Sequence, residues 1–184
     1  MDRTKVEHGA RLLMEGLGLD LNQEGLHNTP KRIAAMFIED FFRDIERHPR
    51  EAMTTFFHAD YDEMVAMRDI PFHSVCEHHL LPFVGKAAVV YIPKDKRIVG
   101  ASKLARAVEI ASSRPQLQER MTSQLADVFM ETLRPHGVLV RIEAEHLCMT
   151  LRGVKKPGTR MVTTGLRGLF KSDAAARSEA LSAI

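Results

Sequence analysis

Cysteine and histidine occur together at two distant places in this chain. The only two cysteines are Cys76 and Cys148, and each has histidine within three residues, His78 and His79 in one case and His146 in the other. Thiolate and imidazole are the ligands that zinc prefers, and three protein ligands plus a water position are typical of a catalytic zinc site. The sequence therefore predicts one open metal site that both segments build.

The first segment has two potential ligands at a spacing that favours chelation. Cys76 and His79 are separated by two residues, Glu77 and His78, which is the spacing of many zinc-binding turns. One such pair is weak evidence on its own, because short patterns of this kind also occur without a metal. The second cluster contains the remaining cysteine of the chain, and this makes a shared site the favoured interpretation.

The second segment has the pattern of a β-strand over residues 138–150. Alternate side chains of a strand share a face, so His146 and Cys148 are predicted to lie side by side at the end of an apolar face. Each of them alone is also explained as a buried core residue. Free imidazoles beside a metal are suited to proton transfer near neutral pH. Spacing alone does not decide which histidines bind the metal and which transfer protons.

Positive charge is concentrated at the start of a predicted helix. Lys103 and Arg106 lie one turn apart there, where free backbone N–H groups already favour anions. Two further arginines lie elsewhere in the chain. Arg152 follows the second cysteine cluster, and Arg32 lies in the first turn of the helix predicted from residue 29. Each of these cations is equally consistent with an ordinary solvated surface charge.

Hydrophobic periodicity predicts two helices, two strands, two helices, two strands and a tail helix. The predicted elements are a helix over residues 6–17, a helix from residue 29, strands at 64–70 and 83–92, helices at 102–112 and from 115, strands at 138–150 and 160–169, and an alanine-rich tail helix. A capping box over residues 113–116 is expected to open the fourth helix. The order indicates an α+β fold, with an antiparallel sheet and helices on one face.

Length and composition limit the class of protein. The chain has 184 residues, of which 45% are hydrophobic and 27% charged, as in ordinary globular proteins. We expect an N-terminal helical region over residues 1–60 and a second domain over residues 61–184. A net charge of +2 gives no support to nucleic-acid binding, and no apolar run is long enough to predict a membrane span.

The N-terminus does not have the pattern of a signal peptide. We therefore expect a cytoplasmic protein. Two cysteines are enough for one disulfide, but in that compartment a thiol pair is more often a ligand or a catalyst.

Seven stretches of the chain closely resemble GTP cyclohydrolase I, the zinc enzyme that opens pteridine synthesis. They are CEHH at 76–79, GASKLAR at 100–106, RPQLQER at 114–120, EHLCM at 145–149, RG at 152–153, TPKRIA at 29–34 and LFK at 169–171. The similarity runs in order from about residue 5 to the end of the chain, with nearly the spacing of the family. Together these motifs are far more specific than any one short pattern.

The resemblance implies a T-fold and a zinc ion on Cys76, His79 and Cys148, with His78 and His146 as the proton-transfer residues. Members of the family close five subunits into a ring and stack two rings. The resemblance therefore also implies a homodecamer whose active sites lie between subunits.

The resemblance further implies GTP as the substrate. Hydrolysis at guanine C8 would release formate and lead, through a rearrangement, to 7,8-dihydroneopterin 3′-triphosphate. Gln118 and Glu119 would hold the guanine edge. The residues implied for the triphosphate are Lys103, Arg106, Arg152 and Arg32, with Ser102 near the sugar and the phosphates. The sequence leaves open whether the product serves tetrahydrofolate or tetrahydrobiopterin, and whether a regulatory protein binds.

Two residues depart from the family pattern, and two other classes of function stay open. Ala101 replaces a common leucine, and Ala35 stands where some bacterial members carry lysine, so the grip on the triphosphate is expected to be weaker by one cation. One alternative is a non-catalytic module with structural zinc, which needs a fourth protein ligand that no third cysteine supplies. The other is a T-fold relative that uses Glu119 to anchor a different purine or pterin. A zinc triad with two spare histidines argues against it.

Overall fold

A five-stranded β-sheet is the centre of this structure, a computed structural model that describes residues 1–184. The strands of the chain are β1 Phe56–His58, β2 Val65–Cys76, β3 Pro82–Ile92, β4 Arg97–Val99, β5 Pro115–Gln116, β6 Gly137–His146 and β7 Arg160–Gly168. The order in the sheet is β5-β2-β3-β6-β7. Every pair is antiparallel except β2 and β5, which are parallel. β1 and β4 form a separate antiparallel pair.

The internal contacts divide the chain into two units, residues 1–43 and 44–184. The smaller unit contains helices α1 (Arg3–Gly16) and α2 (Thr29–Ala35), and α2 continues as a π-helix. The side chain of Asp2 caps α1 by accepting a hydrogen bond from the N–H of Lys5. The domain division at residue 60 stays a prediction, because compact packing does not test which segments fold on their own.

The larger unit contains the sheet and five further α-helices. These are α3 Ala101–Ser112, α4 Gln118–Leu133, α5 Leu147–Thr150, α6 Leu169–Ser172 and α7 Ala174–Ser182. The apolar stripes of α3 and α4 pack on one face of the sheet and form the main core with it. A smaller apolar cluster lies apart from this core and joins β3 and β6 to the C-terminal helices α6 and α7.

The central strand β6 is apolar along nearly all of its length, because both of its faces are buried. Val140 and Ile142 point into the main core, whereas Leu139 points into the smaller cluster with Phe170. Because helices cover both faces here, the strand has a continuous apolar run instead of a strict alternation. The α+β class, with an antiparallel sheet and a helix pair on one face, is confirmed.

The sequence-based prediction of one strand over residues 138–150 is wrong at its end. β6 stops at His146, and the chain turns at once into the short helix α5. Cys148 therefore does not share a strand face with His146, and period-two geometry does not explain its position.

The capping box predicted over residues 113–116 is also absent. Pro115 and Gln116 pair with the end of β2 instead, and α4 begins only at Gln118, with no side chain capping its first turn. A pairing partner that is distant in sequence has overridden the local signal. The first long strand, predicted over residues 64–70, in fact extends to Cys76 and contains a register shift between Met67 and Ile70.

No helix combines the length and the apolar character that crossing a bilayer requires.

We predict that Gly85→Ala destabilises the fold. Gly85 lies opposite Ala144 in the pairing of β3 with β6, and an added Cβ would lie 2.1 Å from the carbonyl oxygen of Glu143. Backbone must move to relieve this clash, so the free energy of unfolding should fall by about 1–3 kcal/mol in urea titrations. Gly9→Ala is the control: it meets nothing within 4 Å inside α1, and should raise stability by up to about 1 kcal/mol. Equal midpoints for Gly85→Ala and the wild type would contradict this close strand approach.

Candidate metal and active site

Two cysteine thiols meet at one corner of the sheet. Cys76 is the last residue of β2 and only 5% exposed, and Cys148 lies half-buried in α5. Both are free thiols. Burial raises the pKa of the Cys148 thiol, its hydrogen bond with Cys76 adds to the rise, and the charge of Arg152 opposes it. In the absence of a cation, the thiol form of Cys148 is therefore favoured over its thiolate at neutral pH.

Strand pairing brings the two segments together. Phe83 at the start of β3 lies opposite His146 at the end of β6, so the turn before β3 and the helix after β6 occupy the same corner. Two backbone hydrogen bonds, from Cys76 N–H to the Leu81 oxygen and from Leu80 N–H to the Cys76 oxygen, both 2.9 Å long, close this turn. Leu80 has a left-handed φ of 53°. The turn thus holds Cys76 and the two histidines after it in a compact loop.

The histidines of the turn are exposed and face different partners. His78 Nδ1 lies 3.6 Å from Cys76 Sγ, and His79 Nε2 lies 3.1 Å from Arg152 Nη1. A guanidinium only donates hydrogen bonds, so the lone pair of His79 Nε2 accepts this bond and is not available to a metal while the bond persists. No group of three His, Cys, Asp or Glu side chains lies close enough together here to hold a metal ion. The structure brings the two cysteines together but turns His79 toward Arg152.

The chemistry of the donors nevertheless fits zinc. Burial disfavours ionisation of Cys148, and a bound divalent cation stabilises cysteine thiols as thiolates. A third donor, His79, lies three residues from Cys76 in the same turn. Its present partner Arg152 is exposed, so the bond between them is weakened by solvent and can be exchanged. The residues present can therefore provide two sulfur ligands and one nitrogen ligand.

His146 is held on two sides. Its ring stacks on the buried ring of Phe83 with centroids 4.6 Å apart and planes only 2° from parallel. Its Nε2 lies 2.8 Å from Gln118 Oε1. Burial lowers the pKa of His146, and the negative charge of Glu119 partly opposes this shift. The ring is therefore mainly neutral at pH 7, close to the thiols, and in a fixed orientation.

Gln118 and Glu119 begin α4, but their side chains have different surroundings. Gln118 is only 1% exposed, and its amide nitrogen donates to the backbone oxygens of Ile142 and Met161, at 3.1 and 3.0 Å. Glu119 is exposed. Of the two residues predicted to hold the guanine edge, only Glu119 has a side chain with free hydrogen-bonding capacity.

The predicted phosphate-binding residues lie on three different segments of the chain. Ser102, Lys103 and Arg106 occupy the first two turns of α3, where Ser102 and Arg106 are exposed and Lys103 is partly so. Arg152 contacts the histidine turn, whereas Arg32 is exposed on α2 in the smaller unit. Within the larger unit, Arg152 therefore contacts His79, so a residue predicted to bind phosphate touches a residue predicted to bind metal.

Two charged residues that sequence reasoning did not assign support the turn. Arg120 Nη2 lies 2.6 Å from Glu77 Oε2, and Arg120 Nε donates to Gln116 Oε1 over 3.0 Å. This ion pair links the first turn of α4 to the histidine turn. Both residues lie within the motifs quoted above, and that was the only signal in the sequence. Phe83, whose ring supports His146, had no signal beyond an apolar strand position.

Imidazoles beside a thiol pair and an exposed carboxylate are groups that perform acid–base chemistry, so the fold and the site define an α+β enzyme. The family model of GTP cyclohydrolase I matches residues 6–184. The chain belongs to the GTP cyclohydrolase I family and is a hydrolase of that family.

Bacterial relatives match over nearly their whole length. The GTP cyclohydrolase 1 of Halalkalibacterium halodurans is 54% identical over 184 residues, which is 100% of this chain and 97% of the relative. The protein of the same name from Bacillus subtilis is 52% identical over 184 residues, which is 100% of this chain and 96% of the relative. A solved structure, the apo form of the archaeosine synthase QueF-Like, is 18% identical and covers 57% of this chain and 93% of its own, with a TM-score of 0.46.

We predict slow alkylation of Cys148 in chelator-treated protein. Its raised pKa leaves less reactive thiolate at pH 7.5 than a free cysteine has. Iodoacetamide should therefore modify the Cys148 peptide more slowly than free cysteine, with a midpoint above the ordinary thiol pKa of about 8.5. Mass spectrometry of the two cysteine peptides across pH 6–10 measures this. A midpoint below that of free cysteine would show that a positive charge, such as Arg152, outweighs burial.

Proposed function

We propose that this protein converts GTP to 7,8-dihydroneopterin 3′-triphosphate with release of formate, and that the reaction requires zinc. This is the first step of tetrahydrofolate or tetrahydrobiopterin biosynthesis. The observation that carries the proposal is the contact between the thiols of Cys76 and Cys148. Distant segments of the chain bring them together at the corner that also holds His146, in a chain of the GTP cyclohydrolase I family.

Cys76, Cys148 and His79 would hold the zinc ion. When bound, zinc supplies a Lewis acid that makes water a better nucleophile near neutral pH. His79 would have to exchange its hydrogen bond with Arg152 for the metal. Arg152 would then have its guanidinium available for a phosphate, which suits a substrate that carries a triphosphate.

His146 and His78 would carry the proton transfers. His146 is mainly neutral because burial lowers its pKa, so it can accept a proton and return it to guanine N7 during opening of the imidazole ring. His78 is exposed beside Cys76, and it would assist opening of the ribose and the rearrangement that follows release of formate. Their different exposure supports this division of the two roles.

The start of α4 would recognise guanine. The exposed carboxylate of Glu119 can accept hydrogen bonds from the N1–H and the 2-amino group. Gln118 is the first residue of the helix, so its main-chain N–H has no partner within the helix and suits the guanine oxygen. Adenine lacks both ring-edge donors and would leave the carboxylate unpaired, which disfavours it.

The triphosphate would bind cations that take no part in bond making. These residues are Lys103, Arg106, Arg152 and Arg32, with Ser102 near the sugar and the phosphates. They would bind the substrate away from the reacting atoms, and this binding energy would position guanine C8 at the corner of the sheet where Cys76 and Cys148 meet.

We further propose that the protein is a cytoplasmic homodecamer of two pentameric rings. Within a single chain the proposed site is open, because His78, His79, Glu119 and Arg152 are all exposed. Exclusion of bulk water, beyond the water that reacts, requires cover of the site, and a neighbouring subunit is the cover that the family resemblance implies.

The direct test is incubation of the purified protein with GTP, followed by oxidation and fluorescence detection of neopterin. We predict about one zinc per chain by mass spectrometry. Cys148→Ser, Cys76→Ser and His79→Ala should each lose both zinc and activity, because each removes a ligand. His58→Ala is the matched control, since His58 is an exposed histidine on β1 and should leave both unchanged. A fully active zinc-free preparation would contradict the proposal.

We predict that Glu119→Ala and Lys103→Ala fail in different ways. Loss of Glu119 should reduce the preference for GTP over inosine triphosphate and ATP, because the carboxylate reads the base. Loss of Lys103 should mainly raise KM for all three nucleotides, and should lower kcat/KM about tenfold to a hundredfold, since a hydrogen bond to a charged group contributes about 1.5–3 kcal/mol. Steady-state kinetics with the three nucleotides measure both effects.

Glu131→Ala is the control for these variants, because Glu131 is an exposed acid on α4 that pairs with Arg50. It should leave nucleotide preference unchanged. If Glu119→Ala keeps its discrimination against ATP while Lys103→Ala loses it, the assignments of base and phosphate residues must both be withdrawn.

A further inference from the structure

The side chain of Gln118 is fixed in one orientation by its partners. Its amide group lies within 3.1 Å of two backbone oxygens, those of Ile142 and Met161, and backbone oxygens only accept hydrogen bonds. The group that faces them must therefore be the NH₂, and the carbonyl oxygen Oε1 must point the other way. Exchanging the two ends would place an acceptor against two acceptors inside a site that is only 1% exposed.

Two threonines agree with this orientation. Thr122 Oγ1 donates to the main-chain oxygen of Gln118 over 2.7 Å. Its single proton is then used, so the hydroxyl of Thr163, 2.7 Å away, must donate to Thr122. Thr163 Oγ1 is thereby left as an acceptor for the Gln118 NH₂, 3.1 Å away. The two protons of the NH₂ are shared among three acceptors, and all three require the same orientation of the amide group.

The orientation of Gln118 determines the tautomer of His146. Oε1 has no proton, and it lies 2.8 Å from Nε2 of the ring. Nε2 must therefore carry a proton and donate it, which leaves Nδ1 of the neutral ring unprotonated. Stacking on Phe83 restricts rotation of the ring out of this plane, so the hydrogen bond and the stacking together hold one ring orientation.

We propose that Gln118 is a positioning residue that holds His146 as the Nε2–H tautomer, so that Nδ1 is the ring atom that exchanges protons with the substrate. The second half of this inference rests on the function proposed above. As the oxygen of the reacting water adds to the substrate carbon, its O–H bond breaks and Nδ1 carries the released proton to the substrate nitrogen. Nε2–H stays bonded to Gln118 throughout, and the ring ends in its neutral form.

The tautomer can be measured without any activity. Magic-angle-spinning ¹⁵N NMR of sedimented zinc-loaded protein labelled at its nine histidines distinguishes protonated from unprotonated ring nitrogens. Signals of His146 are identified by their loss in His146→Asn. At about pH 8.5, where an ordinary histidine ring is neutral, we expect a single tautomer with the proton on Nε2. A proton on Nδ1 instead, or an equal mixture, would overturn the inference.

Kinetics of Gln118→Met test the positioning role. Methionine keeps the volume but removes the acceptor of Nε2–H, so the ¹⁵N signals should show both tautomers. Partners that orient metal-binding histidines typically contribute about 10–100-fold in activity. We expect a loss of similar size here, in kcat, with KM for GTP changed less than threefold. A raised KM with normal kcat would overturn the proposal, because it would make the side chain a guanine ligand.

Thr163→Val is the matched control in the same network. It removes one acceptor of the Gln118 NH₂ but leaves both backbone oxygens, so the orientation of Gln118 and the His146 tautomer should persist. A lost tautomer preference in Thr163→Val would overturn the argument from the backbone oxygens. If the wild type forms no neopterin from GTP, the proposed function fails. The wild-type tautomer still decides the positioning role on its own, even if Gln118→Met does not fold.

Discussion

The antiparallel pairing of β3 with β6 is the constraint on which the site depends. It places Phe83 opposite His146 and continues through ten residue pairs to Ile92 opposite Gly137. A slip of one residue would move every side chain of the slipped strand to the opposite face relative to its partner. The same pairing brings the histidine turn before β3 to the helix after β6, so the contact between the two thiols depends on a sheet register that the apolar core stabilises.

Much of this arrangement was predictable from local sequence signals. The helix and strand order, the α+β class and the helix α3 follow from periodicity. The start of α4 was predicted wrongly because Pro115 and Gln116 pair with β2, which is a contact between distant segments. The end of β6 was also predicted wrongly, since the chain turns into α5 directly after His146. The bond from Gln118 to His146 also joins distant segments, and no spacing rule indicates it. Local patterns describe elements well, but they do not describe contacts between elements.

Burial and charge divide the site into a neutral interior and a cationic exterior. Burial raises the pKa of Cys148 and lowers that of His146, so both groups are kept uncharged in the protein alone. Arg152 and Arg106 lie exposed at the surface, where their guanidinium groups can bind an anion. The interior is thus suited to a cation that stabilises thiolates, and the exterior to an anion. A divalent metal and a polyphosphate would supply the charges that this chain leaves unmatched.

The acceptors of the Gln118 carboxamide have a consequence for how this family can vary. Ile142 and Met161 contribute only their main-chain oxygens, which any amino acid at those positions would provide. Gln118 itself must present a donor at one end and an acceptor at the other, and few side chains do so at this length. Substitutions at Ile142 and Met161 would therefore keep both acceptors, subject to packing, whereas most substitutions at Gln118 would remove the donor or the acceptor. The orientation of the His146 ring is thus sensitive to the side chain at position 118 and insensitive to the side chains of the two strand residues.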